Sequence, residues 1–92
     1  MRITELKPEY VDLIPPVADM KEGVLYISRP FMTTSHLCAC GCGNEVILPY
    51  GCRRFWTLTE RLSGVTIRPS VGSFNLPCKS HYYITDNKIE WL

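Results

Sequence analysis

Neither sign of charge prevails in this 92-residue chain, where ten Lys and Arg residues stand against nine Asp and Glu. That balance supplies no basic stripe for nucleic acid and no acidic tail of the disordered kind. Long apolar runs are missing too. No stretch approaches the roughly 20 residues a membrane helix needs. The segment Met1-Arg-Ile-Thr-Glu-Leu-Lys-Pro8 lacks the continuous apolar core of a secretory leader. Neither nucleic acid nor membrane is therefore expected as a partner, and the expected compartment is the cytoplasm. In that reducing setting five cysteines favour metal ligation over disulfides, and an odd count leaves one thiol outside any full pairing.

Helical periodicity is also lacking. Pro8, Pro15 and Pro16 exclude a long helix across residues 1–22 and suggest an extended arm closing over the core, with room for one short helical turn near Tyr10 to Ile14. From Gly23 the texture changes. Val24-Leu-Tyr-Ile27 is a β-branched and aromatic run that reads as a buried strand. Glu45 to Leu48, Phe55 to Thr59, Val65 to Arg68 and Ser80 to Thr85 have strand-like length, with Gly, Pro, Asn and Ser between them. Leu62-Ser-Gly64 supplies a hairpin turn, and Asp86-Asn87 supplies another before Lys88 to Leu92. The expectation is a mainly β protein: a small, single-domain, zinc-stabilised antiparallel fold over 23–92 with an extended N-terminal arm over 1–22.

Zinc enters because four of the five cysteines fall into two knots, His36-Leu-Cys-Ala-Cys-Gly-Cys-Gly43 and Pro77-Cys-Lys-Ser-His81. Tetrahedral zinc with Zn–S near 2.3 Å sets its sulfurs about 3.8 Å apart. Residues two apart in a strand are separated by about 6.7 Å, and residues four apart by about 13 Å. Cys38 and Cys42 cannot share an ion along a straight strand. Gly41 and Gly43 resolve the conflict by accepting the positive φ that curls the backbone until the thiolates converge. Cys38, Cys40, Cys42 and Cys78 are the expected ligands, with His81 in place of one cysteine as the variant. Such a clip suits a chain that buries only about two-thirds of its unfolded surface. Cys52, beside Arg53 and Arg54, reads as a packing thiol.

Hydroxyl and imidazole groups flank the knots. In a regular strand Cys78 and Ser80 share a face while His81 points the other way, which excludes a direct Ser80–His81 pair unless a bulge intervenes. Two arrangements stay open: Ser80 as nucleophile with His36 as base, or His81 as base for a hydroxyl such as Ser70. Glu45, Asp86 and Glu90 are the carboxylates nearest in sequence, and none stands out as an orienting group. The plainer alternative makes His36, His81 and Ser80 supports of the metal ligands. Trp56, Trp91, Tyr82 and Tyr83 read as core filling with their polar atoms near the surface.

Gly23-Val-Leu-Tyr-Ile-Ser28, the cysteine knot, Trp56, Pro69-Ser-Val-Gly72 and Pro77-Cys-Lys-Ser-His-Tyr-Tyr-Ile84 together resemble the family named domain of unknown function 6527. Members of that family occur beside bacterial ubiquitin-like conjugation genes. The resemblance implies a peptidase that processes or removes a ubiquitin-like protein, with zinc at the knot and Cys78 and a catalytic role around Ser80 and His81. It makes Trp56 and Ser70 candidates for supporting or binding roles, while His36 joins the site on geometric grounds. The implied partners are the ubiquitin-like protein or its conjugation enzymes. The competing expectation is a zinc-binding adaptor of the same system that performs no chemistry.

Overall fold

The computed structural model describes residues 2–72 and 78–92; Pro77 of the second cysteine motif lies outside the described residues. Among the described residues eight strands follow one another: β1 (Lys7–Tyr10), β2 (Val24–Ser28), β3 (Thr33–Leu37), β4 (Glu45–Pro49), β5 (Thr57–Arg61), β6 (Gly64–Gly72), β7 (His81–Thr85) and β8 (Lys88–Trp91). They form two four-stranded sheets, ordered β1-β2-β3-β4 and β5-β6-β7-β8. No α-helix occurs among the described residues, and no helix there is long and apolar enough to cross a membrane.

Alternation along the strands builds the core. Val46 and Leu48 of β4 point inward while Ile47 between them is exposed, and Tyr82 and Ile84 of β7 repeat the pattern. These side chains join Leu25, Ile27, Val65, Ile67 and Val71 in one apolar cluster drawn from both sheets. The continuous run in β2 has a different origin. Leu25 and Ile27 enter the shared core, while Tyr26 faces a second cluster with Met20 and Leu37, onto which Val11 and Ile14 of the arm pack. Burial on both faces is what an unbroken apolar strand reports.

The arm ties the two sheets together. Ile89 N–H donates to the Thr4 carbonyl and Leu6 N–H to the Asn87 carbonyl, after which β1 joins the first sheet by parallel pairing with β2, Lys7 opposite Val24. Leu6 is buried in the shared core. Every other strand pair is antiparallel. The helical turn anticipated near Tyr10 to Ile14 does not form. Among the described residues a single 3-10 turn sits instead at Val17–Asp19, directly after Pro16, a position where proline's missing N–H costs the turn no hydrogen bond.

Both anticipated hairpins are present. Asp86 and Asn87 have φ of 49° and 70°, as a two-residue hairpin turn requires, and Asn87 Oδ1 accepts the Val65 N–H at 2.7 Å. In the other hairpin Gly64 has φ +139°, and a Cβ built there would lie 2.7 Å from the Asp86 carbonyl carbon. Only glycine allows the two turns to approach so closely.

Candidate active site and metal centre

The chain between β3 and β4 curls as the glycines demand, with φ of 90° at Gly41 and 83° at Gly43. Gly41 N–H closes a turn onto the Cys38 carbonyl at 3.0 Å, and Cys38 N–H reaches the Asn44 carbonyl at 2.8 Å. Cys38, Cys40 and Cys42 are thereby brought onto Cys78, which precedes β7. The four ligand sulfurs all lie within 4.8 Å of one another. Cys38 and Cys40 are 3.5 Å apart, Cys38 and Cys78 3.8 Å, and Cys42 and Cys78 3.7 Å. These separations match the edges of a tetrahedron around zinc and far exceed a disulfide bond. The donor set fits a metal ion, and His81 is not part of it.

Ser80 serves this cluster. Its hydroxyl donates to Cys78 Sγ at 3.4 Å, and chiefly through that bond the Cys78 thiol is drawn down to about 6. Burial drives the Cys38 thiol the other way, up to about 12. A cation shared among the sulfurs would hold all four as thiolates. Asn44 Nδ2 donates to Cys42 Sγ at 3.3 Å, so polar groups support the cluster from two sides.

His81 opens β7 opposite Gly72, and Ser70 stands two residues before Gly72 on the same face of β6. Ser70 Oγ and His81 Nε2 are 2.8 Å apart. The His81 backbone is fixed by Leu92, whose N–H donates to its carbonyl at 3.0 Å. The three carboxylates considered from the sequence are engaged elsewhere: Glu45 accepts from Ser35, Asp86 from Ser63, and Glu90 from Thr85. The pair lines a cleft of about 350 Å³ together with Phe55, Trp56, Pro69 and Gly72, within the size range of pockets that hold small ligands. A second cavity between Tyr10, Asp12, Ile27 and Arg29 contains no thiol, imidazole or serine.

No hydrogen bond joins His36 to Ser80 among the described residues. His36 belongs to β3 in the first sheet, is fully buried, and has Nε2 2.7 Å from the Tyr82 hydroxyl. Burial lowers its imidazole to about 4, so at neutral pH the ring is uncharged and able to accept a hydrogen bond from the tyrosine hydroxyl. The same hydroxyl oxygen receives the Ala39 N–H at 3.5 Å. Tyr82 thus pins the cysteine loop across the interface between sheets. Replacing Tyr82 with Phe should destabilise the metal-loaded protein by about 1–3 kcal/mol, because His36 Nε2 is left buried without a partner. A urea midpoint unchanged from wild type would contradict that role.

Tyr82 is buried, and Trp56 and Trp91 pack half-buried against the core. Tyr83 lies on the opposite face beneath the Arg68 guanidinium, 4.5 Å from its ring centre. Cys52 is exposed rather than packed, because it falls in the turn that follows Gly51 and not on a strand. The sequence assigns no site role to Phe55 or Gly72, which line the cleft; Phe55 adjoins Trp56, and Gly72 ends the Pro69-Ser-Val-Gly72 motif.

A serine hydroxyl within hydrogen-bond reach of an imidazole, in a cleft on a small β scaffold, is the arrangement that serine hydrolases use. The family described as bacterial ubiquitination-like system serine protease (BubE) matches residues 10–92, and the chain belongs to that family. No curated protein and no solved structure matches it.

Proposed function

We propose that the protein is a peptidase that cleaves at the C-terminus of a ubiquitin-like protein, processing it or releasing it from its conjugates. In this reading Ser70 Oγ attacks the scissile carbonyl while His81 Nε2 takes the hydroxyl proton. His81 then returns that proton to the leaving amine, and water hydrolyses the resulting ester by the reverse sequence. The observation that carries the reading is the 2.8 Å contact between Ser70 Oγ and His81 Nε2. Family membership supports the substrate class.

Cys38, Cys40, Cys42 and Cys78 would hold zinc, which supplies structural cross-linking when bound. Four sulfurs complete a tetrahedral shell and leave no coordination position for a reacting water, which supports a structural rather than a catalytic ion. Because Cys78 precedes His81 by three residues, anchoring that cysteine fixes where β7 begins and so where the imidazole stands. Ser80, bonded to Cys78, belongs in this reading to the metal support.

The test is incubation of the metal-loaded protein with the ubiquitin-like protein of its own system carrying a C-terminal extension. Multiple-turnover cleavage at the junction is expected. Tight binding with the extension left intact would overturn the peptidase and favour the non-catalytic adaptor.

A further inference from the structure

We infer that the substrate tail is held as an added β-strand on the β5-facing edge of β6 between Pro69 and Gly72. The inference rests on the peptidase reading for the identity of the tail. β5 pairs with β6 only from Gly64 to Arg68, the last partner of Arg68 being Thr57, yet β6 runs on to Gly72. On its other side Val71 and Gly72 are paired with β7. The chain ahead of Thr57 has already turned away: Trp56 bridges to Tyr50, and its carbonyl accepts the Gly51 N–H at 3.2 Å. Among the described residues, nothing pairs with this stretch of β6 on the side that β5 has left.

An unpaired strand edge is a template for another extended chain. Four residues at about 3.3 Å each give a slot on the order of 13 Å long. Thr57 closes one end of it, which suits a chain terminus better than a long strand from a second copy. Ser70 lies within the slot, so a tail seated there passes the hydroxyl without further rearrangement. Gly72, opposite His81, adds no side chain on the face it shares with Ser70. The far wall is Phe55, 70 % exposed and set edge-on to Trp56 with ring centres 4.8 Å apart. A large aromatic left in solvent beside the pair serves no core, and it offers an apolar surface to alternate side chains of an extended tail.

Strand addition makes a periodic demand on its ligand, because only every second residue of an added strand directs its N–H towards the host edge. The experiment uses metal-loaded Ser70→Ala protein and synthetic peptides matching the tail of the ubiquitin-like protein of the same system. Each peptide has one backbone amide N-methylated, and binding is followed by fluorescence anisotropy. Affinity should fall about tenfold or more at alternate amides and stay within about threefold at those between. Uniform loss, uniform tolerance or no binding of the unmodified peptide would overturn strand addition. Cleavage by the wild-type protein is scored separately. Alternation without cleavage would leave the added strand standing and remove the peptidase; cleavage without alternation would do the reverse.

Discussion

Ser70→Ala should lower cleavage of a tail-extended ubiquitin-like substrate by roughly 10³- to 10⁶-fold with the fold intact, as expected when a serine nucleophile is deleted from its pair. Ser70 is on strand β6, partly exposed, and its hydroxyl bonds to His81 rather than supporting the core. Little stability should depend on it. Ser80→Ala should behave differently. Ser80 is 7 % exposed and its hydroxyl donates to Cys78 Sγ, so removal of that group should weaken metal retention by about 10- to 100-fold, the usual effect of losing an outer partner of a ligand. Activity of the Ser80 variant should then follow its metal content. If Ser80→Ala at full metal occupancy matched the loss in Ser70→Ala, the assignment of the two serines would be reversed.

Removing the metal should unfold the domain. Binding of zinc to a four-thiolate site contributes on the order of 10 kcal/mol at neutral pH, while the net stability of a small domain is about 5–15 kcal/mol. The sulfurs of Cys78 and the knot join segments of chain distant in sequence, and the His81 end of β7 lies three residues beyond that junction. A chelator strong enough to strip the site, or Cys78→Ala, should therefore abolish the cooperative thermal transition and the cleavage activity together. Retention of a native-like melting transition in metal-free, reduced protein would show that the apolar core suffices alone. Activity lost well before unfolding would instead place the ion in the chemistry.

The cysteine cluster was legible because its signal is local: three thiols at alternate positions with glycines where the backbone must curl, and the observed φ values at Gly41 and Gly43 meet that demand. The hairpins were legible for the same reason, since Ser63-Gly64 and Asp86-Asn87 carry their turn chemistry in adjacent residues. β3 was not. Thr34, Ser35 and His36 are fully buried at the centre of the first sheet, yet their side chains are polar and no apolar alternation announces them. They are accommodated by bonds to distant groups, Thr34 to the Leu48 carbonyl and Ser35 to Glu45, which no window along the chain contains.

The same limit applied to the site. Period-two geometry sets Ser80 and His81 apart only where both lie on a strand, and it leaves two partnerships for the imidazoles; β7 begins at His81, and Lys79 just before it has φ of 47°. Choosing between them depends on which strands become neighbours. The register of β6 against β7 shifts between Ile67 and Val71, and that irregularity decides which β6 residues face His81. His36 shares its strand direction with the cysteines but meets Tyr82 of the other sheet, a consequence of how the sheets stack. The parallel pairing of β1 with β2 is equally non-local, because Leu6, just ahead of β1, is anchored in the core shared by both sheets.

The measurement that bears most directly on this account is covalent labelling of the metal-loaded protein with a serine-reactive fluorophosphonate, followed by peptide mapping. One adduct per chain on Ser70 is expected, lost when His81 is replaced by Gln. An adduct on Ser80, or no adduct on any serine in protein that still cleaves its substrate, would contradict it.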